Sequence, residues 1–224
     1  MKPTKIRSLV SLLCGAATFV LVAYSIISFL TVGGEANMQV TGVRCFRYFT
    51  NDSNILAAFA CLALIPAQIR ALRSESGELI LSRPHRIFKF TGTVAVTVTL
   101  LTVVFFLAPL WGEHWPQLFS GNTLWLHLVC PLLCLGSLIF CETDEPLRLR
   151  DALWGVLPTF VYGNLYLFMV IVLGPERGGW EDFYSFNLGG FWYLSYLGMN
   201  VGTYLLSLGI LALRGAVIRS KQKT

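Results

Sequence analysis

The chain has 224 residues and a mass of 24.9 kDa, with 55% hydrophobic and only 13% charged residues, where soluble domains carry about a quarter charged. That balance and a mean hydropathy of +0.65 exclude a soluble domain. The net charge of +5 is no nucleic-acid footprint, because the basic residues gather on one side of the predicted spans.

Six apolar runs, each near the roughly 20 residues a helix needs to cross the hydrocarbon, fall at about 8–30, 47–69, 89–111, 119–141, 152–173 and 191–213. They predict an all-α polytopic membrane protein: a single six-helix transmembrane domain over 1–224. The first run is too long for a removable signal and lacks a small-residue cleavage site, so it is expected to remain as the first helix. With both termini on one side, fourteen of the seventeen Lys and Arg residues share that side. The positive-inside rule then makes both termini cytoplasmic. The six cysteines lie in or at the ends of apolar runs, with no paired loop framework and no CxxC zinc pattern, so no metal site is expected.

In chain order, the loop from Val32 to Val43 reads as a plain connection. The second run opens on Arg47-Tyr48-Phe49-Thr50-Asn51-Asp52-Ser53-Asn54. Each helical residue advances about 100°, so the five polar residues Thr50 to Asn54 cover every face and cannot lie against lipid. Arg47, Thr50, Asn54 and Cys61 fall on one stripe, a predicted working face. The basic loop after this run orients the protein, and the threonines of the third run are expected to pack. Trp111, Trp115 and Trp125 form an interfacial belt, with His114 solvated beside them.

The fourth run carries His127, the one histidine of three inside an apolar run; an intramembrane ionisable residue is a functional-site hypothesis. Pro131, four residues on, cannot donate to the His127 carbonyl, which predicts a kink and a spare acceptor. Tyr162, Asn164 and Tyr166 interrupt the fifth run, and Tyr196, Asn200, Thr203 and Ser207 form a polar stripe on the sixth. Between these two runs, 174–184 combines glycines with large aromatics, a composition suited to a lid or an interfacial cap.

The second and fourth runs point the same way, so Thr50 and His127 share a depth, roughly 5–12 Å below the membrane edge at about 1.5 Å per residue. A hydroxyl beside a neutral imidazole is the minimum for nucleophilic acyl chemistry. Asn51, Asn54 and Asn200 are candidate oxyanion donors, and Asp52 a candidate to orient the imidazole. Arg44 and Arg47 are candidates to hold an amphiphile's anionic headgroup. Cys130 is an alternative nucleophile, and Ser53 a weaker one. Spacing alone favours an interhelical Thr–His hydrogen bond that merely ties helices together.

At Phe49-Thr50, and at His127 followed by Pro131, the chain resembles the androgen-induced gene one and androgen-dependent TFPI-regulating protein family, six-span membrane hydrolases with an intramembrane threonine and histidine. Through Tyr48 to Asn54 and Phe183-Tyr184-Ser185-Phe186 it is more similar to a bacterial integral membrane family of unassigned function. The resemblance implies hydrolysis of a lipid ester, in the eukaryotic family fatty acid esters of hydroxy fatty acids, with Thr50 as nucleophile, His127 as base and no cofactor. The bacterial cytoplasmic (inner) membrane is then the expected location, the bilayer and a lipid ester the expected partners, and no nucleic acid is expected. The turn around Thr50 is more polar here than in the eukaryotic pattern, and a six-span relative that uses a cysteine for acyl transfer keeps Cys130 open. The alternative is a transporter or lipid-binding protein without catalysis, which predicts water-accessible polar residues along the whole bundle. A hydrolase predicts a closed inner half and a pocket reaching one side only.

Overall fold

The computed structural model describes residues 2–32, 42–142 and 145–222. It holds six helices long and apolar enough to cross a membrane: α1 (Pro3–Thr31), α2 (Phe49–Arg73), α3 (Arg83–Leu110), α4 (Gly121–Cys141), α5 (Leu149–Leu173) and α6 (Trp192–Lys221). No strand occurs among the described residues. The chain is an integral, multi-pass, all-α membrane protein. Most of the expected plain connection between α1 and α2 lies outside the described residues.

An even number of spans puts both termini at one end of the bundle. Lys2 Nζ and Ser8 Oγ donate to the carbonyls of Glu75 and Gly77 beyond α2, and Lys221 Nζ donates to the Phe140 carbonyl near the end of α4. At this terminal end the helices outrun their apolar stretches, α1 starting at Pro3, α2 continuing to Arg73 and α3 starting at Arg83. Hydropathy stops at the first charge, whereas the backbone ladder continues while Lys and Arg stems snorkel. Pro3 and Pro84 stand in the first turns of α1 and α3, where a missing N–H costs nothing.

The core is built around α3, in which every residue from Lys89 to Thr99 is buried, the signature of a helix covered on all sides. Packed against it are α2, α4, α5 and α6, and α1 closes over α2 and α4. Gly92 sets the α2–α3 approach: a Cβ there would stand 2.9 Å from the Ala57 Cα, the small-residue contact that lets membrane helices close. By contrast α5 turns Leu157, Phe160, Val161 and Phe168 outward.

Two of the prolines follow a π-turn. In α3 the turn Val103–Leu107 is π-helical, and the Ala108 N–H bonds the Val103 carbonyl. In α4 the same happens over Trp125–Val129, with the Cys130 N–H on the Trp125 carbonyl. In both, the residue just before a proline (Pro109, Pro131) makes the i→i+5 bond, and in α4 the slip frees the Leu126 carbonyl. The turn expected to kink at Pro131 is therefore a π-turn, and it carries His127.

Candidate functional site

At the end opposite the termini a cavity of about 350 Å³ lies between α2, α3, α5, α6 and the 174–191 connection. Its wall mixes aromatic rings with hydroxyls and contains no charged side chain. Thr50, the second residue of α2, is part of that wall, together with Thr99 and Thr102 of α3 and Asn200 of α6. Its amide N–H is among the first four of α2, the donors a helix leaves without an intrahelical partner. The Thr50 carbonyl accepts the Asn54 side-chain amide at 2.7 Å and the Ser53 hydroxyl at 3.1 Å, while its own hydroxyl has no hydrogen-bond partner among the described residues.

His127 is fully buried. Its Nδ1 lies 2.7 Å from the Leu118 carbonyl, and its ring meets Phe119 edge-on at 6.4 Å. A carbonyl oxygen only accepts, so Nδ1 carries the proton and Nε2 the lone pair. Nε2 has no partner among the described residues. His127 is not on the cavity wall, and Thr50 and His127 are not hydrogen-bonded to each other. They are linked through Asn54, whose Nδ2 donates both to the Thr50 carbonyl and, at 3.0 Å, to the carbonyl of Leu126, the residue before His127.

The supporting candidates separate. Both amide hydrogens of Asn54 are committed to carbonyls, leaving Oδ1 buried and unpartnered. Asn51 Nδ2 donates to the Cys45 carbonyl at 2.7 Å, pinning the 3-10 segment Gly42–Arg47 to the start of α2. Asn200 is on the cavity wall, one amide hydrogen held by the Tyr196 carbonyl and its buried Oδ1 unpartnered. Asp52 is half-buried, and the orienting position on His127 Nδ1 is filled by the Leu118 carbonyl. Cys130 is fully buried in an apolar cluster with Val22, Phe29, Ala58 and Leu126, away from the cavity wall. Arg44 is exposed and Arg47 half-buried, and neither side chain reaches the wall.

Sequence reasoning missed how the tyrosines converge. Tyr162 and Tyr166 of α5 pack with Tyr184 of the connection at ring distances of 6.5 and 5.4 Å. The Tyr162 hydroxyl donates to the Arg47 carbonyl at 2.7 Å, and Tyr166 donates to Asp182 Oδ1 at 2.9 Å while accepting the Tyr184 N–H at 3.0 Å. Asp182 also accepts the N–H groups of Phe186 and Asn187 at 2.7 and 2.8 Å. One carboxylate thus shapes the 174–191 connection, in which Ser185 and Leu188, both on the cavity wall, adopt φ of 52° and 47°. Tyr48 stacks on Phe183 at 4.7 Å. Burial raises the Tyr48 phenol, against the pull of the Arg47 guanidinium. Burial likewise raises Tyr184 above its ordinary value, opposed by the Phe49 N–H and the Tyr162 hydroxyl, and raises the Cys45 thiol, aided by the Asp52 carboxylate. The aromatic composition of 174–184 was the available signal; the pairing with α5 is purely tertiary.

No protein-family model matches this chain, and no curated protein or solved structure shows significant similarity to it.

Proposed function

We propose that this protein is an intramembrane hydrolase of a neutral lipid ester, with Thr50 as nucleophile and His127 as general base. The observation that carries the reading is the state of the two side chains: Thr50 offers an unpartnered hydroxyl to an uncharged cavity, and His127 is held in the tautomer that leaves Nε2 free to accept a proton. In the reaction Thr50 Oγ1 attacks the ester carbonyl carbon and passes its proton to His127 Nε2. The imidazolium returns that proton to the departing alkoxide, and water cleaves the acyl-threonine by the same route. The Thr50 amide N–H and the second amide hydrogen of Asn200 are the donors for the developing oxyanion. Closure of Thr50 onto Nε2 accompanies substrate binding, since catalytic hydrogen bonds are often made only in the complex.

An uncharged wall favours an uncharged ligand. The carboxylate of a fatty acid ester of a hydroxy fatty acid finds no cation there, because the Arg44 and Arg47 side chains are off the wall. The depth of the site also supports a hydrolase over a conduit. Below Thr50, α2 meets α3 where Ala57 and Ala60 close on Gly92 and Val96 joins Ala57 in the core, all three at most 1% exposed, so this contact is closed among the described residues. We place both termini in the cytoplasm of a bacterial cell and the cavity at the outer leaflet, on the distribution of Lys and Arg.

A second reading, a carrier that binds a neutral lipid without cleaving it, is favoured by the position of His127 off the wall. Labelling of the purified protein with a fluorophosphonate probe separates the two. A hydrolase gives labelling that Thr50→Ala and His127→Ala abolish and Cys130→Ala leaves intact. A folded native protein that stays unlabelled, yet retains a neutral lipid through purification, is the carrier.

A further inference from the structure

A second polar centre lies toward the terminal end of the bundle, about eleven residues down α2 from Thr50, or roughly 16 Å at 1.5 Å per residue. Lys89 of α3 and Glu142, just past α4, are 2% and 1% exposed. The Lys89 ammonium donates to Cys61 Sγ at 3.0 Å and faces Glu142 Oε1 at 3.6 Å. Ser11 of α1 donates to the same carboxylate oxygen at 3.0 Å, and Gln68 donates to Ser11 at 2.8 Å. The Arg214 guanidinium adds a second cation, bound to the Glu142 carbonyl at 2.6 Å. On the other side of Cys61 lies Cys134 of α4, with the two sulfurs 3.9 Å apart, and Thr18 Oγ1 touches Cys134 Sγ at 3.8 Å.

Packing alone does not account for this arrangement. An ion pair needs Lys89 and Glu142 and has no use for a thiol at 3.0 Å from the ammonium. A buried cysteine elsewhere in the apolar core, as Cys130 is, has no cation beside it. Here one sulfur accepts a hydrogen bond from a buried ammonium, and the second sulfur is in van der Waals contact with the first.

We propose that Cys61 and Cys134 are a redox-active thiol pair, closed to a disulfide by hydrogen peroxide, an oxidant of about the size of water. Cys61 sulfur attacks the peroxide O–O bond, taking one oxygen to become a sulfenic acid and releasing the other as water. Cys134 sulfur then displaces that hydroxyl as a second water, its thiol proton leaving with it. Two thiols lose two electrons and two hydrogens, and the peroxide gains them. Lys89 is the positioning residue, its ammonium hydrogen-bonded to the attacking sulfur. Closing the bond takes the sulfurs from 3.9 Å to about 2.05 Å. The bond would join α2 to α4, the helices that carry Thr50 and His127.

The test reads a covalent link and is independent of any hydrolytic activity. The full chain, reduced and reconstituted in lipid nanodiscs, is treated with a slight excess of hydrogen peroxide, alkylated, digested and analysed by mass spectrometry. The expected product is one peptide pair joined through Cys61 and Cys134, reversed by a membrane-permeant reductant and absent in Cys61→Ser and Cys134→Ser. Lys89→Met should slow its formation about tenfold or more, since the side chain no longer donates to the attacking sulfur. The native chain alone decides the matter should a variant fail to fold. Any of three results overturns the proposal: both cysteines recovered as free thiols from folded, peroxide-treated protein; linkage through Cys14, Cys45, Cys130 or Cys141 instead; or an oxygen-bridged product joining Cys61 to Lys89.

Discussion

His127 Nδ1 stands 2.7 Å from the Leu118 carbonyl, and this contact fixes which ring nitrogen faces the rest of the bundle. Because the partner is main chain, no side-chain substitution removes it while the histidine remains. The expected consequence is a clean separation of roles. His127→Gln should fold, with hydrolysis reduced about 10²- to 10⁴-fold, the usual contribution of a general base, in a lipid-ester assay normalised to folded protein by gel filtration. Equal activity in the variant would remove His127 from the chemistry.

Asn54 bridges the Thr50 and Leu126 carbonyls, so its removal acts on both helices at once. Asn54→Leu should cost about 0.6–2 kcal/mol, the range for interhelical polar contacts in membranes, read as a lower unfolding midpoint in detergent. Activity should fall further than stability explains, because the side chain sets the spacing between the stretch of backbone bearing Thr50 and that bearing His127.

Asp182 accepts three hydrogen bonds, from Tyr166, Phe186 and Asn187. Asp182→Ala leaves all three donors without it and should loosen the lid, at about 1–3 kcal/mol for a lost partner to buried donors. Faster amide exchange confined to 174–191 is the expected readout, with Asp182→Asn intermediate because an amide oxygen still accepts.

At Gly92 the space is closed, since a Cβ added there would meet the Ala57 Cα at 2.9 Å. Gly92→Val should destabilise by about 1–3 kcal/mol through overpacking, measured by thermal unfolding. Ala57→Gly in the same chain should recover part of the loss, since neighbours in contact are not additive.

The alkaline limb of stability should belong in part to the lid. Tyr184 has an ordinary value of 10.0 that burial raises in the folded protein, so the native state keeps its proton when the unfolded chain has lost it. The stabilisation is complete below about pH 10 and falls as pH rises through the folded value, because the unfolded state then binds fewer protons. Tyr184→Phe should flatten that fall, followed as the unfolding midpoint between about pH 9 and about pH 11.5.

Much of this architecture was legible from hydropathy alone, since each span repeats one physical requirement. The ends were not: the third run opens at Lys89, counted among the cations that set the topology, yet α3 begins at Arg83 and buries Lys89 in the second turn. The predicted stripe of Arg47, Thr50, Asn54 and Cys61 is real as a set of inward positions from Thr50 onward but serves three ends. Thr50 lines the cavity, Asn54 binds a carbonyl of α4, and Cys61 meets Lys89. Helical spacing fixes direction along one helix; the partner is decided by whichever helix stands opposite. The Leu118 carbonyl left no trace in the sequence, because every residue offers the same main-chain acceptor.

The cavity is walled in part by α5 and α6, and both turn large apolar side chains outward: Phe160 and Leu165 on one, Leu197 and Val201 on the other. A single layer of helix therefore stands between the ligand space and the acyl chains of the bilayer. For a ligand that enters between these helices, the concentration that governs occupancy is its mole fraction among the surrounding lipids, not its amount per volume of water. Saturation should then respond to dilution with inert phospholipid at constant total ligand, and be indifferent to the volume of buffer in which the vesicles are suspended.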